Sequence, residues 1–104
     1  MGLSKDFKST VQERALTDPE FRKALLTESI ECMLAGDVQT GKSILRDYIN
    51  ATIGFQELAL ITEKKPESLM RMLSPKGNPN AANLFKILSE LQKREGIELE
   101  VSST

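Results

Sequence analysis

Two short amphipathic segments separated by a very brief connection dominate residues 54–91, and a longer amphipathic segment follows them. Each short apolar stripe is too small to stabilise an isolated helix, so the two helices must pack against each other. Pro66 suits the first position of the second helix because proline has no amide hydrogen to satisfy there. The spacing therefore predicts two helices around a tight turn at Lys64 and Lys65. Their apolar positions are Leu58 and Ala59 in the first segment and Leu69, Met72 and Leu73 in the second.

The second short helix is expected to present a polar face to solvent. A face of this size can meet base edges and phosphates in the major groove of DNA. The spacing is that of a helix-turn-helix DNA-reading unit, but it also fits an ordinary helical hairpin with solvated outer residues. The predicted outward residues are Lys65, Glu67, Ser68, Met70, Arg71 and Ser74.

Polar residues in and just after this helix are the predicted DNA contacts. Arg71 is the leading candidate, because it projects two positions beyond Leu69 and is long enough to place its guanidinium group on a guanine. The alternative is a solvated arginine, or an ion pair with Glu67 one turn earlier. A carboxylate at Glu67 can accept from cytosine, but it repels any phosphate that lies near it. The predicted contacts are Lys65, Glu67, Ser68 and Arg71, with Lys76 and Asn78 holding phosphate after the helix.

The balance of charge bears on DNA binding at two scales. The chain has a net charge of −1, which disfavours nonspecific attraction to phosphates. Between Lys64 and Lys76, however, four basic residues accompany one acidic residue, giving this segment a net charge of +3. A single reading unit with so little positive charge would bind weakly, so duplication in a two-fold homodimer is expected.

Periodicity and capping residues predict six helices and a tail. Asp18, Asp37 and Asn80 are suited to cap helix N-termini, whereas Gly36 and Gly96 are suited to end helices. The predicted apolar faces are Phe7, Val11 and Ala15 in a first helix over residues 5–16, Ile44, Leu45, Tyr48, Ile49 and Thr52 in a third helix, and Leu84, Ile87, Leu88 and Leu91 in a sixth.

The tail pattern is typical of a strand, because Ile97, Leu99 and Val101 alternate with glutamates. No other segment predicts a second strand, so this one needs a neighbour: its own copy across a two-fold axis, or a sheet in a partner protein. The last residues are expected to be disordered. The predicted organisation is a helical extension over residues 1–36, a reading domain over 37–96, and a strand with its tail over 97–104.

The second predicted helix, over residues 19–35, carries apolar side chains on two faces. One face can meet the reading domain and the other needs a partner, which again favours a homodimer. The alternative is that the first and third helices cover both faces within one chain. The two faces comprise Phe21, Leu25 and Cys32 on one side and Leu26, Ile30, Met33 and Leu34 on the other.

Composition argues against catalysis. The 104 residues, 39% of them hydrophobic, suffice for one domain with a single core and no disulfide or metal. The absence of histidine removes the commonest general base and metal ligand. The one cysteine, Cys32, lies among apolar residues and is predicted to be a buried thiol rather than a nucleophile. We therefore expect no enzymatic activity, no cofactor and no metal.

Residues 36–43, GDVQTGKS, match the expression for a phosphate-binding P-loop letter for letter. In a P-loop, Lys42 would bind phosphate and Ser43 would bind magnesium. That loop must follow a buried strand, however, and the preceding residues form a helical run. Local backbone chemistry explains the same residues, with Gly36 at a helix C-terminus and Asp37 as the next N-cap. Nucleotide binding is therefore not expected.

The sequence contains no apolar run long enough to cross a membrane. Near the N-terminus, the charged residues Lys5, Asp6 and Lys8 surround Phe7, which is unlike the apolar centre of a signal peptide. We expect a cytoplasmic protein that does not associate with membranes.

Several stretches resemble the phage-repressor-like (Cro-type) helix-turn-helix family, most clearly between residues 37 and 95. More narrowly, DPEFRKALL, LRDYINATIGFQELA and SLMRMLSPKGNP are similar to the helix-turn-helix antidote proteins of chromosomal addiction modules. The resemblance implies an all-α, lambda-repressor-like helix-turn-helix bundle with an N-terminal helical extension and a short C-terminal strand. The residues that carry it are Leu58, Ala59, Leu69, Arg71, Met72, Leu73, Gly77, Asn78, Pro79 and the apolar face of the sixth helix.

The same resemblance implies a transcriptional repressor that binds a double-stranded DNA operator and serves as antitoxin and autoregulator of a toxin-antitoxin module. The implied partners are a second copy of the chain and a small ribonuclease-like toxin, to whose sheet the C-terminal strand would add. Two rival functions stay open: a phage or housekeeping regulator without a toxin, and a protein-interaction module that has lost DNA binding.

Three positions depart from the general repressor pattern. Phe55 stands where a phosphate-binding glutamine is usual, Glu63 where a turn glycine is usual, and Lys64 where a small apolar residue usually follows. A residue other than glycine at such a turn is strained by about 1 kcal/mol if it adopts the left-handed conformation. The turn geometry and the phosphate contact from the preceding helix are therefore the features most open to change.

Overall fold

Three of the helices begin at the side-chain caps that the sequence predicts. The Asp18 carboxylate accepts a hydrogen bond from the amide of Phe21 at 3.1 Å, and Asp37 accepts from the amide of Thr40 at 3.2 Å. The Asn80 side chain accepts from the amide of Asn83 at 2.8 Å. Each cap satisfies an amide that has no partner inside its helix. Capping therefore fixes where these helices start.

The computed structural model describes the backbone of residues 5–103 and the side chains of residues 10–103, so the predicted packing of Phe7 and the predicted disorder of Thr104 lie outside it. The described residues form an all-α structure, as expected. Its helices are α1 Lys5–Thr17, α2 Pro19–Leu34, α3 Val38–Ala51, α4 Phe55–Thr62, α5 Pro66–Met72 and α6 Ala81–Glu95.

One apolar core draws side chains from α2 through α6. The predicted faces of α3 and α6 form its centre, and both short helices contribute residues that are completely buried. Residues Val11 and Ala15 of α1 are buried as their spacing predicts. The central core residues are Leu26 of α2, Leu45, Tyr48 and Ile49 of α3, Leu58 of α4, Leu69 and Leu73 around α5, and Ile87, Leu88 and Leu91 of α6.

Helix α2 crosses α3 at very short range, and α1 contacts both. The crossing point is Gly41 of α3, where an added Cβ atom would lie 2.8 Å from the carbonyl oxygen of Ser29 and 2.5 Å from Cγ of Met33. Of the predicted apolar residues of α2, Leu26 is buried and Leu34 is 68% exposed. The others are half-buried: Phe21, Leu25, Ile30, Cys32 and Met33. The apolar faces of α2 are thus covered in part within one chain, and the homodimer stays a prediction.

A partly buried ion pair connects the N-terminal helices to the rest of the fold. The guanidinium group of Arg22 donates to Oε1 of Glu95 at 2.9 Å and to the carbonyl oxygen of Ala15 at 2.7 Å. The hydroxyl of Tyr48 donates to the same Glu95 oxygen at 2.6 Å. This network joins α1, α2, α3 and α6 at one point.

The predicted C-terminal strand is wrong. Residues 97–103 have no regular secondary structure, and Ile97 and Leu99 instead pack against the core of their own chain. The amide of Leu99 donates to Oε1 of Gln92 at 2.8 Å, so this amide has a partner without a strand. Of the alternating apolar residues, Ile97 and Leu99 are half-buried and Val101 is 84% exposed, so the apolar side of the segment is covered only in part.

No helix in the described part of the chain combines the length and the apolar character needed to span a membrane.

Candidate nucleic-acid interface

The turn between α4 and α5 is built around a left-handed glutamate. Glu63 has φ 57° and ψ 40°, and it is the one residue other than glycine with positive φ in the described part of the chain. The amides of Glu63 and Lys64 both donate to the carbonyl oxygen of Ala59, which closes α4. Glu63 therefore adopts the left-handed conformation on which the expected strain depends, with Lys64 and Lys65 directly after it.

Helix α5 is short and is held in place by its apolar side. Leu69 and Leu73 are completely buried and fix the helix against the core. The carbonyl oxygen of Lys65 accepts from the amides of Ser68 and Leu69, so the first turn is closed around Pro66. With its inner side fixed in this way, α5 directs its remaining side chains outward. All of the predicted DNA-contacting residues are exposed: Lys65, Glu67, Ser68, Arg71, Lys76 and Asn78.

An open cleft of about 400 Å³ brings part of this predicted set together. It lies between α5, the loop that follows it and the first turn of α6. Lys65 and Glu67 do not line it; they stand exposed at the start of α5. Asn80, which the sequence predicted only as a helix cap, and Asn83, to which the sequence assigned no role, belong to the cleft as well. The predicted residues that line the cleft are Ser68, Arg71, Lys76 and Asn78.

Lys42 positions the loop after α5, and the sequence reasoning missed this role. Its side chain is only 2% exposed. Its ammonium group donates to the carbonyl oxygens of Ser74 at 3.0 Å and Gly77 at 2.7 Å, holding both ends of a turn that carries Lys76. Lys42 precedes buried Leu45 by three residues, and this helical spacing is the signal in the sequence that could have indicated its position on the inner face of α3.

The turn itself requires glycine at its end. An added Cβ atom at Gly77 would overlap the carbonyl oxygens of Arg71 and Met72, because the loop folds back directly onto the end of α5. The hydroxyl of Ser74 donates to the Arg71 carbonyl oxygen at 2.7 Å and closes the same end of the helix. Lys76 and Asn78 are therefore presented by a rigid loop.

These contacts also explain the residues of segment 36–43 that match the P-loop motif. Gly36, with φ 92°, ends α2, and Gly41 permits the close crossing of α2 and α3. Asp37 caps α3, and Lys42 is buried with its donors used by backbone carbonyl groups. The segment before Gly36 is helical, as expected. No phosphate-binding loop is formed here.

The predicted reading unit holds most of the basic side chains that lack a counterion. Among residues 10–103, Arg14, Arg22, Lys23, Lys93 and Arg94 are each paired with a carboxylate. No ion pair or side-chain hydrogen bond occupies Arg71 within these residues, and the alternative pairing with Glu67 is not formed. Lys42 is buried and donates to backbone carbonyl groups instead. The remaining basic residues without a counterion are Arg46, Lys64, Lys65, Arg71, Lys76 and Lys86, four of them between residues 64 and 76.

Two residues flagged in the sequence have other roles. Phe55 is buried in the core, so the first position of α4 offers no phosphate contact, and the neighbouring Gln56 is exposed instead. Cys32 is half-buried, rather than buried as predicted. Partial desolvation and the nearby carboxylates of Glu28 and Asp37 raise the pKa of the Cys32 thiol. A thiol with a raised pKa stays protonated at neutral pH and is a poor nucleophile.

Within the described residues, no group of three or more cysteine and carboxylate side chains is placed to hold a metal ion. Comparison of the chain with protein-family models, curated proteins and solved structures gave no match.

Proposed function

We propose that the protein is a sequence-specific DNA-binding transcriptional repressor and not an enzyme. In this proposal α4 and α5 form a helix-turn-helix unit, and α5 enters the major groove. The observation that carries the proposal is the concentration of basic side chains without counterions around α5, on a chain whose other exposed basic residues are mostly paired. Free cations at one place are what phosphate binding requires.

The side chains around α5 fall into two groups, one suited to contact bases and the other suited to contact phosphates. Arg71 is exposed and unpaired, so its guanidinium group can donate to both acceptors of a guanine. Met70 beside it is 43% exposed and offers an apolar surface to a thymine methyl group. Lys76 and Asn78 lie on the rigid loop beyond the helix, where Lys42 holds the backbone, and bind phosphate. Lys65 and Glu67 contact the groove at the start of α5.

The proposed binding unit is a homodimer. Helix α5 has 7 residues, so one copy reads only a few base pairs. The chain carries a net charge of −1, and one copy gains little from phosphates. Two copies related by a two-fold axis double both contributions and bind a palindromic operator.

Selection from a random duplex library tests this function directly. The full chain should enrich a palindromic sequence and bind it at least a thousandfold more tightly than random DNA. Affinity should fall steeply with salt, because cations are released from the phosphates. Recovery of no sequence, together with equally weak binding to all duplexes, would leave the repressor proposal without support.

Two substitutions separate base reading from phosphate binding. Arg71→Ala should cost about 1 to 3 kcal/mol on the selected operator and much less on random DNA. Lys76→Ala should weaken binding to both DNAs and lower the salt dependence by about one ion per subunit. Lys86→Ala is the matched control, because Lys86 is also exposed and unpaired but lies outside the reading unit. Equal losses for Arg71→Ala on both DNAs would reassign Arg71 to a phosphate.

The proposal extends to an antitoxin that autoregulates a toxin-antitoxin module, with a small ribonuclease-like toxin as partner. This extension rests on the family resemblance of the sequence. A regulator without a toxin has the same interface, and co-expression with each short reading frame found adjacent to its gene distinguishes the two. An antitoxin should restore growth that such a reading frame arrests, and Arg71→Ala should not affect the rescue. Absence of any growth-arresting neighbour would favour the regulator without a toxin.

A further inference from the structure

A second concave surface lies between α2, α6 and the C-terminal tail. This tail groove has a volume of about 300 Å³, which is at the lower end of the range for ligand-binding pockets. Ile30, Leu88 and Leu99 contribute apolar side chains that are partly or fully buried. The groove exists because residues 97–101 pack along the helices instead of forming a strand.

Exposed apolar side chains border this groove. Leu34 of α2 is 68% exposed, Phe85 of α6 is 65% exposed, and Val101 of the tail is 84% exposed. Single exposed apolar residues are common on protein surfaces. Here, however, three of them from separate parts of the chain line one apolar depression, an arrangement that marks interaction surfaces.

The charges at the groove all have one sign. Glu31 and Glu100 are its charged lining residues, and no basic side chain from residues 10–103 lines it. The two segments that carry these glutamates, residues 28–34 and 97–103, also contain Glu28 and Glu98 and no lysine or arginine. Glu31 and Glu100 make no ion pair within the described chain. The rim is therefore acidic and lacks counterions.

We propose that the tail groove binds an apolar, positively charged segment of a partner protein. The apolar side chains of that segment fill the depression, and its basic side chains pair with Glu31 and Glu100. A second copy of this chain is a poor occupant, because a two-fold contact would bring the same acidic rims together. The groove shares no lining residue with the cleft beside α5, so this inference does not rest on DNA binding.

Two synthetic helical peptides of matched design test the charge requirement. Both carry leucine at helical spacing, and the remaining positions are lysine in one and glutamate in the other. The lysine peptide should bind the full chain and shift the amide resonances of residues 27–34, 85–92 and 99–101. The glutamate peptide should not bind. No binding of the lysine peptide, equal binding of both peptides, or shifts elsewhere on the chain would overturn the proposal.

Substitutions then test the two parts of the surface. Glu31→Gln combined with Glu100→Gln should weaken lysine-peptide binding about fivefold, as expected for two exposed ion pairs. Phe85→Ser should weaken it about tenfold or more, because an aromatic anchor is lost. Leu60→Ser is the matched control, since Leu60 is 81% exposed and does not line the groove. All of these side chains are exposed, so the variants should fold.

Two further measurements test whether the groove instead holds a second copy of the chain or takes part in DNA binding. If raising the protein concentration doubles the mass and shifts the resonances of residues 85–92, a second copy fills the groove and the proposal fails. Variants of the groove should bind the selected operator like the unmodified chain. Loss of operator binding in these variants would place the groove in the DNA-binding assembly and contradict the proposal.

Discussion

At the scale of single residues, Glu63 has the intrinsically least favourable backbone conformation among the described residues other than glycine. A left-handed backbone costs most residues about 1 to 2 kcal/mol, because Cβ approaches the following carbonyl oxygen. The turn between α4 and α5 nevertheless adopts it, since both Glu63 and Lys64 must direct their amides at the carbonyl oxygen of Ala59. Packing of Leu58 and Leu69 in the core holds the two helices close and compensates for the strain.

Glu63→Gly should therefore raise the free energy of unfolding by about 1 kcal/mol, because glycine adopts this conformation without a Cβ clash. The midpoint of urea unfolding measures the change. Glu63→Ala is the matched control: it removes the same charge but keeps Cβ, so it should not give this gain. Equal stabilisation by alanine and glycine would mean that charge, not backbone strain, is the cost at this position.

The sequence indicated where this strain would arise, because Glu63 stands where the repressor pattern has glycine. It did not predict the role of Lys42. The P-loop expression drew attention to its charge, whereas its distance from Leu45 and Ile49 along α3 placed it on the buried face. The carbonyl oxygen of Ser74, which accepts from Lys42, lies 32 residues further along the chain. A local sequence pattern cannot predict a contact over that distance.

At the scale of elements, Lys42 links α3 to the loop that ends α5. Hydrogen bonds from a charged group contribute about 1.5 to 3 kcal/mol each, offset by the cost of burying the charge. Lys42→Met keeps the buried chain but leaves the carbonyl group of Gly77 without its Lys42 donor and that of Ser74 with only the amide of Gly77. We expect a loss of about 1 to 3 kcal/mol in the free energy of unfolding, measured in urea.

The same variant should also weaken operator binding, because the turn that presents Lys76 loses its support. Lys86→Met, on the exposed side of α6, is the control and should change neither property. Should Lys42→Met match the unmodified chain in stability and in DNA affinity, the link between α3 and the loop would have no energetic role.

Elements with strong local signals were predicted well. Caps at Asp18, Asp37 and Asn80 and the apolar face of α6 are short-range features, and the structure reproduces them. The tail was predicted wrongly because alternation of apolar and charged residues does not specify what covers the apolar side chains. Whether a strand or a helix supplies the cover depends on tertiary structure, and here Gln92 of α6 accepts from the amide of Leu99.

At the scale of the whole molecule, the network at Glu95 connects the N-terminal helices α1 and α2 to α3 and α6. Tyr48 donates to Glu95 from α3, and Arg22 donates to it from α2. Burial of Tyr48, followed by its hydrogen bond to the Glu95 carboxylate, raises the pKa of the phenol well above its ordinary value of about 10. The neighbouring arginines oppose this shift only in part.

This shift makes folding sensitive to alkaline pH. The folded chain holds the Tyr48 proton more tightly than the unfolded chain, so the stabilisation is complete below about pH 10 and declines as the pH rises further. Tyr48 is the only tyrosine and the chain has no tryptophan, so tyrosinate absorbance reports this residue alone. We expect the tyrosinate signal to appear together with the loss of helical circular dichroism, in one cooperative transition.

Tyr48→Phe provides the control, because lysines also titrate in this range and affect both proteins alike. The variant should lose helicity less steeply above pH 10 than the unmodified chain, although it is less stable at neutral pH through the missing hydrogen bond. If tyrosinate instead forms near pH 10 while the helical signal of the unmodified chain persists, the phenol is accessible in the folded state. The four helices would then not be joined through a buried Tyr48–Glu95 contact.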